Sequence, residues 1–162
     1  MSDIYIICIE DEPQVLDVII RDLAGLEEFF PIEMALSATE ARELIEEIKK
    51  EGHAIGLALC DHIMPGEKGI DLLIGMQNDP FTEHTRKVLI TGQAGLEDTI
   101  EAVNKAKLNR YIAKPWDPLQ LIEVVKDELT QYVVAHEKDL LRYMSVLDTA
   151  RLQEAIRAKG YL

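Results

Sequence analysis

Short apolar runs alternate along this chain with stretches in which apolar residues recur every three or four positions. Ile4–Ile9 is a continuous apolar run, the pattern of a strand covered on both faces. Pro13 then opens a helical pattern carried by Val15, Leu16, Ile19, Ile20 and Leu23, proline being tolerated in a first helical turn. Residues 32–36 read as a second strand. Ser37 and Glu40 stand at capping-box spacing before a helix that turns Ala41, Leu44, Ile45 and Ile48 inward and stops at Gly52. Strands are predicted at 56–60, 87–91 and 110–113, with helices at 69–77 and 95–107 between them. Asp117-Pro118 supplies an N-cap and a first-turn proline for one more helix. Five βα units in succession predict an α/β fold. Its sheet is doubly wound, five-stranded and parallel, with right-handed crossovers and the flavodoxin-like order 2-1-3-4-5.

The last helical stripe outruns that unit. Ile122, Val125, Leu129, Tyr132 or Val133, His136, Leu140, Tyr143 and Leu147 keep spacings of three and four, with no Gly or Pro between Pro118 and Gly160. This predicts an extended C-terminal helix, a main domain over 1–130 and a helical extension over 131–162. A short helix from about Asp148 to Gly160 follows. An apolar stripe with nothing to pack on predicts a homodimer, the alternative being that residues from about 148 fold back to cover it.

Composition narrows the function. The 162 residues carry 17 basic and 30 acidic side chains, a net charge of −13, which disfavours direct binding to nucleic acid or anionic lipid. No apolar run approaches membrane-spanning length and the N-terminus lacks a basic leader, so a cytoplasmic protein is expected. Cys8 and Cys60 each sit inside an apolar run and read as buried core thiols. His53, His62, His84 and His136 show no zinc-ligand spacing.

The chemistry collects where the predicted strands stop. Glu10-Asp11 follows the first strand, Asp61 the third, Thr91 ends the fourth and Lys114 follows the fifth. In an open parallel sheet those ends form one ligand-binding rim, so three carboxylates, a hydroxyl and an ammonium converge. Any one of them has a plain structural reading, such as capping the next helix; all five at successive strand ends do not. Clustered carboxylates repel unless a cation sits among them, and an all-oxygen site with room for water suits Mg²⁺. A carboxylate beside that ion can attack phosphorus to give an acyl phosphate, with the hydroxyl and ammonium binding the phosphoryl oxygens.

The segments Ile9-Glu10-Asp11-Glu12-Pro13, Cys60-Asp61-His62-Ile63-Met64-Pro65-Gly66, Ile90-Thr91-Gly92 and Tyr111-Ile112-Ala113-Lys114-Pro115-Trp116 resemble the signature motifs of two-component receiver domains. The resemblance covers about residues 3–130. It implies that Asp61 is the phosphoacceptor and that Glu10, Asp11, Asp61 and the backbone carbonyl of Ile63 hold Mg²⁺. It further implies that Thr91 is the switch hydroxyl, that Lys114 pairs with the phosphoryl group, that Tyr111 is a rotameric aromatic and that the Lys114–Pro115 bond is cis. Glu10 departs from the pattern, standing where Asp is more usual. The resemblance implies a signalling module rather than an enzyme, taking its phosphoryl group from a histidine kinase or phosphotransfer protein and then switching partners. The alternative is the regulatory part of a larger enzyme or DNA-binding regulator with its output beyond residue 162.

Overall fold

The computed structural model describes residues 2–92 and 100–160. Strands β1 (Ile4–Ile9), β2 (Ile32–Ala35), β3 (Ala54–Asp61), β4 (Arg86–Thr91) and β5 (Arg110–Ala113) form one sheet in the order β2-β1-β3-β4-β5. Every neighbouring pair is parallel. The helices are α1 (Pro13–Asp22), α2 (Ala38–Lys50), α3 (Gly69–Gln77), α4 (Ile100–Ala106), α5 (Pro118–His136) and α6 (Thr149–Ala158). The expected doubly wound, flavodoxin-like fold is therefore present. Of the helix expected over 95–107, residues 95–99 lie outside the described residues.

Strand alternation divides the core into two layers. Ile6, Cys8, Leu57, Leu59, Val88, Ile90 and Ile112 pack against α1 and α5, while Ile7, Ile9, Ala58, Cys60 and Leu89 face α2 and α3. Gly56 sits under α5, where an added Cβ would come within 2.6 Å of Ile4 and 3.3 Å of Tyr132. Both cysteines are free and buried, as expected.

The caps follow the sequence with one difference. Asp117 accepts from the Leu119 amide at 3.0 Å and Ser37 from the Glu40 amide at 3.1 Å. The Glu40 carboxylate reaches back to the Leu36 amide, one residue before the position a capping box prescribes.

The C-terminal segment corrects the continuous stripe. α5 ends at His136, and the chain turns extended at Glu137 (φ −101°, ψ 143°) instead of carrying one helix through Leu147. A 3₁₀ turn over Leu141–Tyr143 follows, then α6, capped by Asp148 and closed by Gly160 at φ 80°. Leu140, Tyr143 and Leu147 are buried in the same cluster as β1, α1 and α5, joined by Val146, Leu152 and Ile156 from the same segment. Tyr143 stacks on Phe30 with ring centroids 5.2 Å apart, and Arg142 pairs with Asp3 at 3.3 Å. The apolar residues thus turn back onto their own domain. The face that called for a second copy is covered within the chain.

Candidate functional site

Period-2 alternation assembles the site. In β1, Ile4, Ile6 and Cys8 face α1 and α5; one step past the strand, Glu10 shares their side, its amide still bonded to the Ala35 carbonyl at 3.0 Å. Asp61 has the same parity as Leu57 and Leu59 on β3, and Lys114 the same parity as Ile112 on β5. The Lys114 amide donates to the Thr91 carbonyl at 2.8 Å, which extends the ladder to the rim. Three chemical groups from three strands therefore point to one side of the sheet end. Thr91 and Tyr111 have the opposite parity, that of Leu89, which pairs with Tyr111 across β4 and β5.

Asp61 is 4% exposed and Glu10 fully buried. Lys114 Nζ lies 2.8 Å from Asp61 Oδ1 and 3.6 Å from Glu10 Oε2. The first distance is a charge-assisted hydrogen bond; the second is an ion pair too long to be one. Burial alone would depress the Lys114 pKa, but its contacts with Asp61 and Glu10 outweigh that and raise it. Neither carboxylate oxygen of Glu10 has a hydrogen-bond partner among the described residues. Burial, then repulsion from Asp61 and Asp11, push its pKa up to about 7 against the opposing pull of Lys114. One ammonium does not satisfy three carboxylates. Ligand oxygens of Glu10, Asp11 and Asp61 lie within 4.8 Å of one another, a cluster able to hold a metal ion.

Thr91 is buried at the end of β4, where its hydroxyl donates to the Gly92 carbonyl at 2.7 Å. Tyr111 is 59% exposed. Ile63 lies in the loop just after Asp61, its side chain exposed. The Lys114–Pro115 bond is cis. Trp116 is anchored by a 3.0 Å bond from Nε1 to Asp22 at the end of α1, which fixes the loop that follows Lys114.

One supporting contact escaped the sequence reading. Gly69 opens α3 directly against the Asp61 backbone, where an added Cβ would lie 1.9 Å from the Asp61 carbonyl oxygen. Its amide donates to His62 O at 2.8 Å, and the Cys60 thiol donates to Asp61 O at 3.3 Å. The signal was available in the glycine at the first position of a predicted helix, where close approach rather than chain reversal is the reason for it.

The family model for the response regulator receiver domain matches residues 6–126. The chain belongs to this family. It is 31% identical over 137 residues to the hydrogenase transcriptional regulatory protein HoxA of Bradyrhizobium diazoefficiens, covering 83% of this chain and 26% of that protein. It is also 31% identical to the regulatory protein VanR of Enterococcus faecium, covering 82% of this chain and 52% of that one. A CheY-like receiver domain structure from Methanospirillum hungatei superposes with a TM-score of 0.67 at 28% identity, covering 81% of this chain and 97% of that one. The chain spans about a quarter of the HoxA regulators it matches, 26% and 23% of the two. No helix among the described residues is long and apolar enough to cross a membrane.

Proposed function

We propose that Asp61 accepts a phosphoryl group from the phosphohistidine of a histidine kinase or phosphotransfer protein. The observation that carries this is the set of buried Glu10 and Asp61 with half-buried Lys114, in which one carboxylate is held at the rim by the ammonium while the other keeps both oxygens without a hydrogen-bond partner among the described residues. An Asp61 carboxylate oxygen attacks phosphorus and the P–N bond to the donor imidazole breaks. The nitrogen keeps the electron pair, and the product is an acyl phosphate. Lys114, freed from one Asp61 oxygen, neutralises charge on the transferred group. The orphaned Glu10 oxygens and the all-oxygen donor set fit Mg²⁺, with Glu10, Asp11, Asp61 and the Ile63 carbonyl as its protein ligands. When bound, that ion supplies charge neutralisation to the phosphoryl oxygens.

Readout runs through the residues of opposite parity. Thr91 exchanges its bond to Gly92 O for the phosphoryl oxygens, and the exposed Tyr111 ring turns toward the space released. That remodels the face of β4, α4 and β5, a two-state change biased by a charge-assisted contact. A shallow, mainly apolar cleft of about 450 Å³ lined by Gln14, Val15, Val18, Pro115 and Trp116 borders Lys114 and offers the donor a footing beside the acceptor.

A second reading, a cytoplasmic regulator in which this domain controls a further output, is favoured by the greater length of the HoxA relatives. Incubation with acetyl phosphate and Mg²⁺, followed by intact-mass analysis, tests the acceptor. The wild type gains one phosphoryl group and Asp61→Asn gains none. Equal labelling of the two assigns the acceptor elsewhere.

A further inference from the structure

The opposite end of the sheet holds a second cluster of charged groups. Lys87, at the start of β4, is 1% exposed. Its parity is that of Leu89, so its side chain enters the layer beneath α3 rather than solvent. Its ammonium donates to Gln77 Oε1 at 3.0 Å and to the carbonyls of Thr85 at 2.8 Å, Glu83 at 3.3 Å and Thr82 at 3.5 Å. All four acceptors are neutral. No carboxylate stands within ion-pair distance of it among the described residues. A buried ammonium held only by neutral dipoles retains an unmet demand for opposite charge.

Lys87 is among the residues that line a cavity of about 260 Å³ between the β4 and β5 entrances and the end of α5. Arg86 and Lys107 line it as well, together with His84, His136 and Tyr132. Arg86 donates from Nη2 to Glu128 at 2.9 Å and to Gln131 at 3.1 Å, while its buried Nε has no partner among the described residues. Lys107, at φ 51°, is solvent-accessible and forms no ion pair among the described residues. The imidazoles of His84 and His136 lie 5.0 Å apart and Tyr132 sits 4.7 Å from His136, an aromatic wall beside the cations. Among the described lining residues Glu83 is the one carboxylate, and Glu128 is engaged by Arg86. Arg86, Lys87 and Lys107 thus stand against two carboxylates here, in a chain whose net charge is −13.

We propose that this cavity binds a small oxyanion, a phosphate or carboxylate group, between Lys87, Lys107 and the Arg86 Nε. An oxyanion offers several acceptors to groups that converge from two strand entrances, and it supplies the charge that the carbonyls around Lys87 cannot. The aromatic wall leaves room for a flat substituent on the bound group. This site is independent of the phosphoryl-acceptor reading and lies at the other end of the sheet.

Inorganic phosphate is the probe. It is titrated into the full chain at constant ionic strength without Mg²⁺ and followed by amide NMR shifts. Saturable shifts at residues 83–87 and 107–109 are expected, with affinity about tenfold weaker in Lys107→Gln, whose side chain is exposed and whose loss leaves the core intact. Lys87→Met is expected to abolish saturation; should it fail to fold, Lys107→Gln carries the test alone. A parallel titration with acetate separates the two sources: tighter phosphate points to a phosphate ester, tighter acetate to a carboxylate ligand. Linear shifts, shifts confined to the Asp61 rim, or equal affinity in Lys107→Gln would each overturn the proposal.

Discussion

The two ends of this sheet treat buried charge in opposite ways. At the carboxyl end, Glu10 and Asp61 are buried with one ammonium between them, and excess negative charge is left at an open rim. At the amino end, Lys87 is buried among neutral oxygens, and the rest of that end is closed by the C-terminal segment. The contrast separates stability from chemistry. Apolar residues close most of the amino end, while the carboxyl end keeps carboxylates whose demands a cation or a phosphoryl group would meet.

The sharpest way to break this comparison is to reopen the closed end. Truncation after His136 removes Leu140, Tyr143, Val146, Leu147, Leu152 and Ile156 from the cluster and exposes Phe30, Leu129 and Val133. Each fully buried side chain of this size is worth about 1.5–3 kcal/mol before the cost of ordering the segment, so the truncated chain is expected to lose most of its stability. Tyr143→Ala isolates one contact and is expected to cost about 3–5 kcal/mol by urea denaturation, since Tyr143 is 1% exposed and stacked on Phe30. A truncated chain with an unchanged midpoint would mean that the segment rests on the domain without supporting it.

The two ends also differed in how far the sequence disclosed them. The reactive rim was legible because parallel strands announce themselves as apolar runs, and the residue after each run must lie at the carboxyl end. Spacing did not disclose the closed end. Leu140, Tyr143 and Leu147 continue the three-and-four rhythm of α5 with no glycine or proline to mark a break, yet the chain leaves the helix at Glu137. Separate turns that each bury one side chain mimic a single stripe when only their spacing is seen. Lys87 was hidden for a different reason. A lysine at the edge of a strand reads as a flank, and only its parity with Leu89 shows that it points inward.

A smaller change, confined to the open rim, asks how much its chemistry depends on the backbone beneath it. Gly69→Ala puts a methyl group 1.9 Å from the Asp61 carbonyl oxygen, so either α3 or the Asp61 peptide must move. The expected cost is about 1–3 kcal/mol, with phosphorylation by acetyl phosphate slowed at least severalfold. Gly75→Ala on the same helix is the control. It meets nothing within 4 Å and is expected to leave the rate unchanged and to add about 0.5–1 kcal/mol of stability. Equal rates in the two variants would show that phosphorylation tolerates a displaced Asp61 backbone.

The finest test reads both ends in one pH profile. Glu10 is raised from 4.5 to about 7 in the folded protein, chiefly by burial and then by Asp61. The native state therefore binds more protons than the unfolded chain between those values, and stability falls as pH rises from about 4.5 to about 7. Lys87 is lowered from 10.5 to about 8, chiefly by burial and then by Arg86. Here the unfolded chain binds more protons, so stability rises from about pH 8 to about 10.5. The full shifts set a ceiling of ~3 kcal/mol on each arm, and an effective dielectric above that of a dry interior reduces the expected change to ~1 kcal/mol. His62 and His136, both lowered chiefly by burial, tilt the acid arm the other way, so each arm is read as a difference from a variant. Glu10→Gln is expected to remove the fall on the acid side and Lys87→Met the rise on the alkaline side, neither altering the other arm because they lie at opposite ends of the sheet. Millimolar Mg²⁺ is expected to flatten only the Glu10 arm, by stabilising the carboxylate form. A Glu10→Gln profile parallel to the wild type would show that the Glu10 carboxyl does not carry the acid arm.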